Sequence, residues 1–271
     1  MKTRILTGII GGLLFLYFLL KGGILLVLAI GFLVALGTWE FSRLVQATGI
    51  KNNYPLMLTI NLLFLLGQAV NIYYNLSLGC CGLIGLFLVF VLLFSFFSDY
   101  KNGISETSLI STFANLFTLV YPGILFTYIL LVRAFPEPYG WEILIFSFLV
   151  IWGNDTGAYF IGSAWGKTPL IPRISPNKTV EGAVGGLIVG MIIGTIFGLV
   201  RNLPLGWLVG TCLVAGIIGQ LGDIFESFLK RSAEIKDSGS FLPGHGGVLD
   251  RFDSTLFALP IIYYFALLII P

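Results

Sequence analysis

Charge is scarce in this chain, and so are the residues that most often build soluble active sites. Only 10% of its 271 residues are charged against 57% hydrophobic, and the mean hydropathy is +0.97. That balance excludes an ordinary soluble globule and leaves a polytopic membrane protein. There is one histidine, His245, so a histidine metal cluster is excluded. Cys80, Cys81 and Cys212 are odd in number and show neither a C-x-x-C pair nor metal-ligand spacing with His245. Free thiols are expected in place of a disulfide framework. The net charge of +2 is too small, and the basic residues too dispersed among short loops, for a nucleic-acid surface. Residues 2 to 20 imitate a signal peptide, with Lys2 and Arg4 ahead of an apolar run, but no A-x-A cleavage site follows. An uncleaved first span is expected.

What the chain has in abundance is hydrophobic runs. A helical span needs about 20 mostly apolar residues, because backbone polar groups in lipid must be satisfied within the segment. The expected fold is all-α, with about nine transmembrane helices near 5–20, 24–42, 55–73, 82–98, 107–132, 141–163, 180–200, 205–231 and 255–270. Lys21-Gly22-Gly23 separates the first two as a tight hairpin, and Pro122-Gly123 should kink the fifth. The seventh, GAVGGLIVGMIIGTIFG, is laced with small residues, which suit either tight packing within the bundle or a dimer seam. With the N-terminus inside, twelve lysines and arginines fall in cytoplasmic segments and three, Lys21, Arg133 and Arg201, in outer ones. That asymmetry predicts a cytoplasmic N-terminus and cytoplasmic active loops.

The acids divide the chain. Nine of the thirteen lie in residues 141 to 271, which read as a catalytic bundle, while residues 1 to 140 read as scaffold. The densest polar stretch runs from Ser227 to Asp253, SFLKRSAEIKDSGSFLPGHGGVLDRFD. Before and within it, Asp223, Glu226, Ser227, Lys230, Arg231 and Glu234 fall within about 140° on one helical face. This is either a polar stripe toward a wet cavity or a ladder of salt bridges on a solvated helix end. Gly239, Gly244, Gly246 and Gly247 free the following loop to turn and point N–H groups at an anion. Asp250 and Asp253, about one helical turn apart with Arg251 between, suit a magnesium-bound polyphosphate: oxygen ligands for a hard cation, guanidinium and ammonium groups for phosphates. His245 either donates to a phosphate or holds the turn. Upstream, Asp155 sits in the sixth apolar run, where a carboxylate is either functional or bonded to a neighbouring helix. Lys167, Arg173 and Lys178 lie in a loop where they either receive phosphate headgroups or mark the cytoplasmic side. Glu181 falls in the first turn of the next helix, where it also suits the dipole.

The pattern Ser227-x-x-Lys230-Arg231-x4-Lys236-Asp237-x-Gly239-x2-Leu242-Pro243-x-His245-Gly246-Gly247-x2-Asp250-Arg251-x-Asp253 resembles the signature of the phosphatidate cytidylyltransferases, or CDP-diacylglycerol synthases. Asn154-Asp155 and Ser175-Pro176-x-Lys178-Thr179-x-Glu181-Gly182 resemble that family's upstream elements. The resemblance implies transfer of CMP from CTP to phosphatidate in the bilayer, with release of pyrophosphate. It implies magnesium on Asp223, Asp250 and Asp253, with Asp237 in or beside the coordination sphere, and a possible second, monovalent cation such as potassium. Lys230, Arg231, Lys236, Arg251 and His245 would attend the triphosphate and the leaving pyrophosphate. Asp155, Lys167, Ser175, Lys178, Glu181, Ser227, Gly246 and Gly247 would surround the substrates, Lys167 and Lys178 at the lipid phosphate. A homodimer is expected on the small-residue faces and the resemblance. Two other classes stay open: a CTP-using lipid kinase of the polyprenol or phytol type, which would release CDP, and an ion-coupled transporter. Against the transporter, the acids cluster at one membrane face and no inverted repeat is evident.

Overall fold

The computed structural model describes residues 2–76, 79–102, 107–239 and 246–270. The chain divides into two compact units, residues 1–130 with 232–251, and residues 131–231 with 252–271. Segment 232–251, which the sequence reading grouped with the catalytic half, therefore clusters with the first unit. Helix covers every expected apolar run. Among the described residues six helices are long and apolar enough to cross a membrane, so the fold is that of an all-α polytopic membrane protein. Among the described residues that measure does not select the helices expected as first, fourth and ninth spans, the last of which opens with Asp250, Arg251 and Asp253.

The first unit begins with α1 (Lys2–Lys21) and α2 (Gly23–Ala47), interrupted where Gly22 and Gly23 take positive φ values of 64° and 58°. Such angles are costly for any residue with a Cβ. The helices α3 (Tyr54–Tyr73), α4 (Gly79–Asn102) and α5 (Ser108–Thr118) follow, then a π-helical turn (Leu119–Ile124) and α6 (Leu125–Arg133). Nearly every position of α2 is apolar, so polarity does not choose its inner face. Leu26, Ile30, Val34 and Phe41 are buried while Ile24, Leu25, Leu28 and Phe32 are exposed, a helical period that suits lipid outside and protein inside.

Pro122 does not end the fifth run. A proline has no N–H to give the carbonyl four residues earlier, which here is Thr118. The buried Asn61 donates its Nδ2 to that carbonyl at 3.1 Å and to Thr38 Oγ1 of α2 at 2.8 Å, and the helix continues through a π-turn.

The second unit contains α7 (Tyr139–Trp165), a two-stranded antiparallel hairpin of β1 (Pro169–Ile171) and β2 (Ser175–Thr179), α8 (Val180–Val200), α9 (Leu205–Ser232) and most of α10 (Leu249–Ala266). The hairpin is a local addition to the all-α expectation. The glycine face of α8 is occupied within the chain. A Cβ on Gly182, Gly186 or Gly190 would lie 2.8, 2.5 or 2.8 Å from the carbonyl oxygens of Ala158, Asn154 and Val150, so α7 and α8 run antiparallel in backbone contact. One end of the pair is clamped by Glu142, which accepts from Arg201 Nε at 2.7 Å while the guanidinium lies over Trp141. At the other end Thr179 caps α8, its Oγ1 accepting from Gly182 N at 3.1 Å. With 28 residues, α9 is about 42 Å long, more than the roughly 30 Å hydrocarbon core. It ends at Ser232, and Glu234, expected on the same stripe, instead turns back with a φ of 56°.

Candidate active site

A cavity of about 580 Å³ opens in the second unit, between the hairpin and the ends of α7, α8 and α9. Asp155 from α7, Asn177 and Lys178 from β2, and Gln220 and Asp223 from α9 supply its polar wall; Tyr159, Leu170 and Ile224 supply apolar surface. Asp155 stands within the apolar run of α7, as expected from sequence, and its side chain reaches this cavity. Beside it, Asn154 is buried and donates Nδ2 to the Gly216 carbonyl at 2.9 Å, while its Oδ1 accepts from Gln220 Nε2 at 2.7 Å. Gln220 also donates to the Ala183 carbonyl at 2.9 Å. This amide pair ties α7, α8 and α9 together beside the cavity.

Charge is concentrated at the same place. Lys178 Nζ lies 2.6 Å from Asp223 Oδ2, and Lys230 Nζ lies 2.7 Å from Oε2 of the fully buried Glu226. The second pair is the i,i+4 rung anticipated from sequence. Asp253 feels the charges of Asp223, Glu226 and Asp155, and Asp155 that of Asp223. Asp253 also accepts the backbone N–H of Ser254 at 2.7 Å, and the Ser254 hydroxyl donates to Asp155 at 3.4 Å. Four carboxylates thus share one region with two ammonium groups, a surplus of negative charge built from hard oxygen donors. That donor set fits a divalent cation in kind. Among the described residues no three His, Cys, Asp or Glu side chains are gathered as a finished cage, and Lys178 stands on Asp223.

The remaining upstream candidates support the cavity more than they line it. Glu181 accepts from the backbone N–H of Lys167 and Thr168, each at 3.1 Å, and from the Thr168 hydroxyl at 2.9 Å, which latches the hairpin onto α8. The Lys167 side chain is exposed, and Ser175 is half-buried where β2 pairs with β1. Arg231 donates Nε to the Ile174 carbonyl at 3.3 Å at the hairpin turn, and Ser227 is half-buried on α9.

In the first unit the glycine loop has its own arrangement. Asp250 Oδ2 accepts from Gly247 N at 2.7 Å, Ser238 N at 3.0 Å and Ser238 Oγ at 2.9 Å. The N–H of Gly247, expected to point at a ligand, thus orients a carboxylate. Gly246 has a φ of 81°, and a Cβ there would lie 2.6 Å from Asp250 Oδ2. Lys236, Asp237 and Arg251 are exposed. His245 lies outside the described residues. Glu40, whose buried carboxylate meets the same loop, and Ser238, Gln220 and Asn177 are not among the residues expected from sequence. A carboxylate in an otherwise apolar run was the available signal for Glu40.

The sequence model of the cytidylyltransferase family matches residues 2–269. The chain belongs to that family. Among its relatives are the proteins named phosphatidate cytidylyltransferase of Bacillus subtilis (strain 168), 36% identical, Staphylococcus saprophyticus (strain ATCC 15305), 38% identical, and Staphylococcus aureus (strain COL), 36% identical. Each alignment covers 97% of this chain and 97% of the relative, so the cytidylyltransferase relationship embraces both units.

Proposed function

We propose that this cytidylyltransferase-family protein transfers the CMP moiety of CTP to phosphatidate, giving CDP-diacylglycerol and pyrophosphate for phospholipid synthesis. The cavity in the second unit carries the reading: it joins carboxylates, an ammonium group and apolar surface, as a charged headgroup with acyl chains requires. Full-length kinship to proteins named for this reaction supports it.

In the proposed reaction an oxygen of the phosphatidate phosphate attacks the α-phosphorus of CTP. The bond from that phosphorus to the bridging oxygen breaks, and the bond electrons leave with pyrophosphate. A phosphate monoester is already largely ionised near neutral pH, so no general base is needed, and positioning with charge neutralisation carries the rate. Lys178 holds the lipid phosphate at the cavity wall. Lys230, Arg231, Lys236 and Arg251 offset charge on the triphosphate and the leaving group. Asp223 and Asp253 would hold magnesium, with Asp250 three residues before Asp253 on α10. When bound, magnesium supplies Lewis-acid neutralisation of phosphate charge. Potassium as a second cation, and a homodimer, are proposed on the resemblance alone; the mass of the purified protein in detergent tests the latter. The twelve-to-three distribution of basic residues supports a cytoplasmic N-terminus and active site in a bacterial-type cytoplasmic membrane. Purified protein incubated with cytidine-labelled CTP, magnesium and phosphatidate should place label in the lipid fraction; label recovered only in CDP would favour a lipid kinase, and no transfer would remove the proposal.

A further inference from the structure

Glu40 lies on α2, in the half of the chain that the sequence marks as scaffold, and its side chain is 0% exposed. A carboxylate at such a place is costly unless donors surround it. Glu40 Oε1 accepts from Val248 N at 2.8 Å; Oε2 accepts from Leu249 N at 2.9 Å and faces Ser238 Oγ at 3.2 Å. Val248 precedes α10 and has no side-chain acceptor, so it cannot cap the helix itself. Glu40 supplies the missing cap from 208 residues away. The positive end of the helix dipole favours its charge there.

The loop is shaped around this carboxylate. A Cβ on Gly239 or Gly247 would lie 2.5 Å from Glu40 Oε1, so two glycines of the motif make room for Glu40. The Ser238 hydroxyl stands between Glu40 and Asp250 Oδ2, 3.2 Å from one and 2.9 Å from the other. A local serine at position 248 would cap the helix with no buried charge. A carboxylate reaching from α2 fixes more: the helix start, Ser238 and, through both, Asp250.

We infer that Glu40 is a positioning residue, whose buried carboxylate holds the first turn of α10 and the Ser238 hydroxyl and so sets the direction in which Asp250 and Arg251 meet the nucleotide. The inference rests on the proposed transfer from CTP. It is tested with the full chain in detergent micelles containing phosphatidate, comparing wild type, Glu40→Gln, Ser238→Ala and a control, Asn61→Ala, which breaks buried hydrogen bonds of the same unit to Thr38 and Thr118 that do not involve Glu40, Ser238 or Asp250. In Glu40→Gln, hydrogen exchange at the Val248 and Leu249 amides should quicken. Its kcat/KM for CTP should fall about tenfold to hundredfold, as for loss of charge-assisted hydrogen bonds, while KM for phosphatidate stays at its wild-type value. Asn61→Ala should lower the melting temperature and keep the wild-type KM for CTP. The inference is overturned by slow amide exchange in Glu40→Gln, or by a wild-type KM for CTP with only a melting loss like that of Asn61→Ala. Should Glu40→Gln fail to fold, Ser238→Ala decides, because it leaves both backbone bonds to Glu40 intact: a raised KM for CTP supports the inference and a wild-type KM overturns it. If the wild type places no cytidine in lipid, the proposed reaction falls, and the amide exchange still settles whether Glu40 holds the helix.

Discussion

Replacing Asp223 by asparagine should separate activity from stability. Lys178 Nζ lies 2.6 Å from Asp223 Oδ2, with the two side chains 27% and 32% exposed. At an effective dielectric constant of about 20 the attraction at that distance is roughly 6 kcal/mol before solvation is counted. Desolvation, side-chain entropy and salt reduce a partly exposed pair to on the order of 1 kcal/mol. Against that loss, the substitution removes the repulsion of Asp223 with Asp155 and Asp253. The asparagine oxygen still accepts from Lys178. The net change in folding stability should therefore be about 1 kcal/mol or less, a melting shift of about 2–4 °C for a chain of this size. Transfer of cytidine to phosphatidate should fall at least about a hundredfold, because Asp223 would hold the magnesium that neutralises charge on the phosphates. Fluorescence-monitored melting in detergent and the labelled-CTP assay measure the two quantities on one preparation. A near-normal rate with an unchanged melting temperature would remove Asp223 from the site, and a large melting loss would show that its role is to hold the fold.

Lys178→Ala should raise KM for phosphatidate more than KM for CTP, read from initial rates with each substrate varied in turn; the opposite pattern would place Lys178 at the nucleotide. Glu181→Ala removes the latch on the hairpin, so protease cleavage between residues 168 and 178 should quicken and KM for phosphatidate rise, and unchanged cleavage would refute the latch. Gly186→Ala drives a methyl group to 2.5 Å from the Asn154 carbonyl oxygen, which should destabilise the α7–α8 pair by about 1–3 kcal/mol in thermal melting, as overpacking does.

The helices were legible because a lipid solvent demands long apolar segments whatever their detailed sequence. What the sequence hid were partners distant along the chain. Pro122 marked a kink within the fifth span, but nothing local showed that Asn61 takes up the Thr118 carbonyl and that the helix goes on through a π-turn. The glycines of α8 left packing and a dimer seam equally open, and only the positions of the α7 carbonyls show what fills that face. The hairpin of β1 and β2 is built from strands of three and five residues, too short for a periodic signal. Asp155, Lys178 and Asp223 were named from chemistry that is local to each and line one cavity. Glu40 was passed over because its donors are Ser238, Val248 and Leu249, some two hundred residues on.

Two parallel incubations of the purified protein with magnesium and phosphatidate, one with CTP labelled at the α-phosphate and one at the γ-phosphate, decide what the protein does. The proposed reaction puts the α-label into lipid and releases the γ-label as pyrophosphate, in equal amounts. Recovery of the γ-label in lipid with the α-label in CDP, or of neither label in lipid, would contradict it.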